Sequence, residues 1–395
     1  MTLTPKTELD NRISRLQTLL QDKGIDGALV VHSIDVYYFS GTLQSSHLYI
    51  PAQGKALLMT RKSFERAQQE SNLDNIVPLT SVKNLPALIQ ETGLPLPKTL
   101  GLELDVLPVN NYLQYTKLFP ETTLVDVSGL IKQVRLVKSG YELDLLREAA
   151  EIMNRVHRQA PGAIKQGMTE LELASAVEAI ARREGHEGFV RMRAFNQELY
   201  YGHLLSGANA AVSSFFDGPT GGIGLSPAYP HSASNRVIEN NRPIIVDYVG
   251  VKNGYIVDLT RVYSIGSLPE KLVSAFEGTL AIQEAVLSAV RPGADCGALY
   301  ELAVNKAREL GLEDHFMGYT PNQAKFVAHG VGLELDEIPV MAKGVKAVLA
   351  AGMVFALEPK FVFPGEGVVG IENTFVVTDN GAERLTTIKD DIVIL

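Results

Sequence analysis

The chain has 395 residues, room for two domains at roughly 150 residues each, and its 46% hydrophobic and 21% charged residues with one cysteine exclude a disordered, collagen-like or disulfide-stapled protein. Net charge is −9 and no basic run exceeds two residues, which argues against nucleic acid or an anionic membrane as partner and for a small molecule or peptide. The polar start Met1–Glu8 and the shortness of the most apolar stretch, Val348 to Leu357, against the ~20 residues of a membrane span predict a soluble, cytoplasmic protein.

In chain order, Leu9, Ile13, Leu16, Leu19 and Leu20 fall at helical spacing, and Gly24 ends that helix. Strands are predicted at Gly27–Val31, His47–Ile50 with Lys55–Thr60, and Thr99–Leu102, separated by helical segments near 62–71, 81–92 and 109–118. This is an α/β unit. At Ser139-Gly140-Tyr141-Glu142 a capping-box pattern opens a helix with Leu145, Ala149, Ile152 and Val156 on one face, so the domain boundary is placed there, dividing residues 1–136 from 137–395. Beyond it one order of elements occurs twice. Helices at about 142–159 and 170–184 precede a hairpin at 243–264, and helices at about 270–290 and 297–310 precede a second hairpin at 353–378. Two similar halves about a pseudo-two-fold axis would place a site between the hairpins.

The first hairpin turns at Asn253-Gly254, a strong two-residue turn signal. Lys252 then faces Tyr255, Asp247 faces Thr260, and Asp258 is a diagonal neighbour of Asp247 on the same face. Burying two like charges without a cation forces a proton onto one of them, and a divalent metal removes that penalty. The alternative is a solvated sheet face with incidental acids. In the second hairpin Glu358 and Glu372 are again embedded in apolar strand. A three-residue loop Pro364-Gly365-Glu366 sets Glu358 opposite Glu372; a four-residue loop sends them to opposite faces. Between the hairpins His329 stands in Ala-His-Gly-Val-Gly, either as a ligand or as a structural histidine. Together two Asp, one His and two Glu suit Mn²⁺, Fe²⁺, Co²⁺ or Zn²⁺. Four carboxylates exceed the needs of one divalent ion, so two ions per chain are expected, holding between them a water acidic enough to give hydroxide near neutral pH.

Asp247, Asp258 eleven residues later, His329 in His-Gly-Val-Gly, Glu358 before Pro359, and Glu372 resemble the five-ligand set of the pita-bread metallopeptidases, the family of methionine aminopeptidase, Xaa-Pro aminopeptidase, prolidase and creatinase. The amino-terminal part, with Arg12–Leu20, Gly24–Ala28 and Tyr37-Tyr38-Phe39-Ser40-Gly41, resembles the extra domain of creatinase, prolidase and Xaa-Pro aminopeptidase. The resemblance implies an α+β protein: a pita-bread domain of pseudo-two-fold helix-helix-hairpin halves, preceded by an α/β creatinase-type domain. It also implies that Asp258 and Glu372 bridge two ions, that Asp247 completes one and His329 with Glu358 the other, and that Glu358 accepts the proton of the nucleophilic water. By the same resemblance His231, sixteen residues before Asp247, contacts the substrate or the tetrahedral intermediate; its other reading is an exposed loop histidine.

Three departures fall near the substrate. Asp336 stands where prolidase-like sequences usually carry a second histidine, Gly370 where proline-specific members usually carry an arginine, and a long segment, Ala210–Tyr229, separates Ser206-Gly207-Ala208-Asn209 from Pro230-His231. The glycines of that segment fit a mobile loop lining the cleft. Cys296 is read as a buried, inert thiol. The expectation is a cytoplasmic, homodimeric exopeptidase with two metal ions, Mn²⁺ first among them, that removes one residue from a short peptide. Its amino-terminal domain would close one side of the cleft. A non-peptide hydrolase or lyase on the same fold, and a non-catalytic binding protein, are the alternatives.

Overall fold

The computed structural model describes residues 3–193 and 195–395; Met1 and Thr2, the head of the polar start, lie outside the described residues. The chain forms two compact units that meet in sequence at Arg135 and Leu136. Among the described residues no helix is long and apolar enough to cross a membrane.

In the first unit α1 (Lys6–Asp22) buries Leu9, Ile13, Leu16 and Leu20. It stops at Gly24, where φ is +66° and the Ile25 N–H reaches back 2.9 Å to the Leu20 carbonyl. The strands β1 (Gly27–Val30), β2 (Ser46–Pro51), β3 (Leu57–Thr60), β4 (Ile76–Pro78), β5 (Thr99–Leu102) and β6 (Thr123–Asp126) form one mixed sheet in the order β4-β3-β2-β1-β5-β6. Helices α2 (Ser33–Ser40), α3 (Phe64–Glu70), α4 (Leu85–Glu91), α5 (Val109–Leu118) and α6 (Ser128–Leu136) complete the unit. The pattern reading did not contain α2, β4, β6 or α6. The two strands are edge-side pieces of three and four residues with no buried position, and α2 is buried on most sides, so none shows a clean period.

The second unit opens with α7 (Gly140–Ala163) and α8 (Glu170–Arg183), each started by the reciprocal capping box that Ser139 with Glu142 and Thr169 with Glu172 encode. After β7 (Gly202–Ser206) and the single turn α9 (Gly207–Ala210) come the hairpin β8 (Ile244–Lys252) and β9 (Tyr255–Ser264), then α10 (Glu270–Ala289) and α11 (Cys296–Glu309). Seven short strands follow: β10 (Phe326–Val331), β11 (Leu335–Ala342), β12 (Val354–Leu357), β13 (Lys360–Phe363), β14 (Gly367–Gly370), β15 (Asn373–Thr378) and β16 (Gly381–Arg384); β17 (Ile392–Ile394) closes the chain. They build a four-stranded sheet, β17-β9-β8-β7, a five-stranded sheet, β11-β10-β12-β15-β16, and the separate ladder β13-β14. The order helix, helix, hairpin recurs as expected. The second hairpin is not one uninterrupted ladder, however: it breaks between β12 and β13 at Pro359, which has no N–H to give, and between β14 and β15 at Ile371. Glu358 and Glu372 sit at those breaks. Cys296 is buried, and burial pushes its thiol up to about 11.

Away from the second unit's cleft, His47 and His157 are buried in the neutral form. His47 touches the Tyr115 hydroxyl at 2.8 Å and His157 the Tyr263 hydroxyl at 2.8 Å; burial pushes them down to about 4 and about 3. Between pH 6.5 and about 4 the unfolded chain therefore binds protons that these two sites refuse, so stability falls as pH falls. Each adds at most about 1.4 kcal/mol per pH unit to that slope. In urea titrations at pH 7, 6 and 5, His157→Asn should lose one histidine's share of the slope; an unchanged slope would refute the assignment.

Candidate metal centre

The Asn253-Gly254 turn sets Lys252 opposite Tyr255, Asp247 opposite Thr260 and Val249 opposite Asp258, so the two aspartates point from one face of β8-β9 as diagonal neighbours. In the second hairpin Phe363 pairs with Gly367 and Leu357 with Asn373, the register of the three-residue loop, which brings Glu358 and Glu372 to one side. The hairpins are stitched together where the acids lie. The Thr374 hydroxyl accepts from the Asp258 N–H and donates to the Asp258 carbonyl, both at 2.9 Å, and the buried Arg261 guanidinium donates to the carbonyls of Thr260 and Glu372 at 2.7 and 3.0 Å. His329 arrives on β10, which pairs with β12.

Around this junction two kinds of distance occur. His329 Nε2 stands 3.6 Å from Glu358 Oε1, 3.6 Å from Glu372 Oε1 and 4.0 Å from Asp258 Oδ2. These exceed hydrogen-bond length, and the buried Glu372 Oε1 has no hydrogen-bond partner. Two ligands each ~2.1 Å from a shared ion lie about 3–4 Å apart, so this half of the site fits one divalent ion. The Asp258, His329 and Glu372 ligand atoms all lie within 4.8 Å of one another. On the other side the contacts are direct: the Lys360 ammonium is 2.6 Å from Glu358 Oε2, 3.0 Å from Glu372 Oε2 and 3.1 Å from Asp247 Oδ2. Each glutamate thus turns one oxygen toward the imidazole and the other toward the ammonium. The expectation of a second ion beside Asp247 meets a cation supplied by the chain itself.

Electrostatics follow from burial and from these two groups. Burial pushes Asp247 up to about 6 and Glu358 up to about 8 against the pull of Lys360, and raises Asp258 well above the usual range. Burial acts upward on Glu372 as well, but Lys360 and His329 outweigh it and hold its carboxyl well below the usual range. Burial would lower His329 and Lys360; the surrounding carboxylates, Asp336 first for His329 and Asp247 first for Lys360, raise both.

The cleft over the junction is lined by Asp247, Asp258, His329, Glu358 and Glu372, and also by His203, Asp336 and Phe216–Thr220. The 210–229 segment thus contributes wall, as its glycines suggested. Asp336 sits at a bulge in β11 with a left-handed φ of +61°, its Oδ1 3.4 Å from His329 Nδ1. His329 Nδ1 is hydrogen-bonded at 3.2 Å to the Gly330 carbonyl, which fixes the tautomer and aims Nε2 at the carboxylates, and the Asp336 carboxylate beside it adds negative charge that makes the imidazole a stronger ligand. Asp336→Asn is expected to weaken binding of Mn²⁺ or Zn²⁺ about 10–100-fold in calorimetric titration; an unchanged Kd would show that Asp336 does not support His329.

His231 is buried, stacks on Phe216 and packs against Tyr229, with Nδ1 3.3 Å from His203 Nε2. The exposed-loop reading of His231 is therefore wrong, and the imidazole lining the cleft is His203, on β7 opposite Asp247. Sequence reading missed His203 and Lys360. A signal for the second was present: Glu358 and Lys360 are two apart, and side chains two apart in extended chain share a face.

A closed set of carboxylates around one imidazole, spaced for a divalent ion, is the donor set of a metal centre. The chain belongs to metallopeptidase family M24, which matches residues 144–379, and residues 12–137 match the creatinase/prolidase N-terminal domain. Membership carries divalent-metal binding with it. An Xaa-Pro dipeptidase of Pyrococcus furiosus is 28% identical over 390 residues, covering 98% of this chain and 100% of the relative. Among solved structures, an Xaa-Pro dipeptidase from Bacillus anthracis superposes with a TM-score of 0.83 at 25% identity, covering 98% of this chain and 100% of that one. An X-Pro aminopeptidase from Thermotoga maritima does so with 0.81 at 25% identity, covering 97% and 99%.

Proposed function

We propose that this protein is a metallo-exopeptidase that hydrolyses the first peptide bond of short peptides with proline in second place, as an Xaa-Pro dipeptidase or Xaa-Pro aminopeptidase. The observation that carries the reading is the half-site at His329, where one imidazole nitrogen and three carboxylate oxygens are spaced for a shared ion and one buried oxygen lacks a protein partner. Asp258, His329, Glu358 and Glu372 hold a divalent metal, manganese first among the candidates. When bound, the metal acidifies water and polarises the scissile carbonyl. Glu358, whose Oε2 is held by Lys360, is the residue that takes up the proton of the nucleophilic water. His203, beside Asp247 on the neighbouring strand, contacts the substrate, and His231 holds that imidazole in place through the 3.3 Å contact. Asp247 lies on the ammonium side and fixes Lys360. Residues 1–136 form the creatinase-type domain and 137–395 the catalytic domain, and the protein works in the cytoplasm as a homodimer.

Of the three departures only the 210–229 segment stands as cleft wall; contrary to the expectation that all three lie near the substrate, Asp336 reaches His329 and Gly370 makes room for Lys360 at the junction itself. A panel of Xaa-Pro dipeptides, longer Xaa-Pro peptides and matched peptides without proline, read by release of the first residue, tests the reading. Release from the proline series above the matched series supports it. Turnover of neither series by metal-loaded protein would favour the non-peptide hydrolase or lyase.

A further inference from the structure

We infer that the Lys360 ammonium takes the place of one metal ion, so that this chain works with a single divalent ion on the His329 side. The inference rests on the metal-dependent reading of the same site and goes beyond it in fixing the ion count and the group that replaces the second ion.

Three observations converge. Lys360 is fully buried, and its Nζ lies 2.6 to 3.1 Å from oxygens of Glu358, Glu372 and Asp247, the distances of charge-assisted hydrogen bonds. The two glutamate oxygens it binds are the ones turned away from His329, so the ammonium lies on the far side of the glutamates from the imidazole. The space for its stem is made by the residue across the ladder. Lys360 pairs with Gly370, and a Cβ at 370 would come 2.4 Å from the Lys360 Cγ and 2.9 Å from its Cα. An arginine at 370, where the proline-specific members usually carry one, is incompatible with Lys360 as it lies. The glycine at 370 is therefore what gives the lysine at 360 its room: the absence of a side chain on one strand lets a cation enter from the other.

Charge agrees with the geometry. Three carboxylates contact the ammonium and Asp258 and Asp336 lie on the imidazole side, so with Lys360, a neutral imidazole and one divalent ion the five carboxylates leave a sum of −2. A second divalent ion beside Asp247 would sit against the ammonium at contact distance and be repelled by it.

The test counts ions. Wild-type protein stripped with a chelator, reloaded with Mn²⁺ and desalted should hold one Mn²⁺ per chain by elemental analysis. Its paramagnetic resonance spectrum should be the six-line pattern of an isolated ion. Lys360→Gly, which empties the second position, should hold two and show the multiline spectrum of an exchange-coupled pair. The wild-type count and spectrum stand without the variant, should the variant not fold. Two coupled ions in the wild type would overturn the inference and leave the metallopeptidase reading standing. No ion in either protein would overturn both.

Discussion

Replacing His329 by alanine is expected to lower kcat/KM on the preferred peptide by more than ~10³-fold, about 4 kcal/mol or more of transition-state stabilisation. His329 supplies the imidazole of the half-site, and its Nε2 is the atom around which Glu358, Glu372 and Asp258 are spaced at 3.6 to 4.0 Å. Without it, three carboxylate oxygens remain, and the two glutamates keep Lys360 as their only close cation. Ion binding should fail with activity, and circular dichroism on the same sample distinguishes loss of the ion from loss of the fold. Retention of wild-type kcat/KM would remove His329 from the mechanism.

The largest expected effect on stability lies at Glu170. Its fully buried carboxylate begins α8 and accepts from the Ser206 N–H at 2.6 Å, the Ser206 hydroxyl at 3.0 Å, the Asn209 amide at 2.7 Å, and the Ser234 N–H and hydroxyl at 3.0 and 2.6 Å. It thus ties α8 to both ends of the segment that carries Phe216 and His231 and that follows directly on His203. Glu170→Ala leaves five buried donors without that acceptor, at a cost of about 3–5 kcal/mol. Thermal unfolding should shift down by roughly ten degrees. A shift of a degree or less would mean that water or a neighbour takes over the acceptor's place.

The chemistry was more legible in the sequence than the electrostatics. Asn253-Gly254 fixes the register of β8 and β9 because a two-residue turn admits one pairing, and from that alone Asp247 and Asp258 fall on one face. The loop Pro364–Glu366 does the same for Glu358 and Glu372 only once its length is known, and the structure supplies that length. Lys360 escaped because a cation near acids reads as a solvated pair until its burial is seen. Gly370 looked like a missing arginine until the ladder showed what fills the space. His203 lies far in sequence from the groups it serves and reaches them through the pairing of β7 with β8; Asp336, only seven residues from His329, is turned toward it by a bulge in β11 that the sequence does not announce. In the first unit, α2 and the short edge strands are set by the sheet they join, and no local period announces them.

The most direct test of the central claim is metal dependence of amino-terminal cleavage. Protein stripped with a chelator, shown by elemental analysis to be metal-free, and reloaded separately with Mn²⁺, Co²⁺, Zn²⁺ or Fe²⁺ is assayed for release of the first residue from an Xaa-Pro peptide. The account predicts no release from stripped protein and recovery with at least one of the four ions; undiminished release from metal-free protein would contradict it.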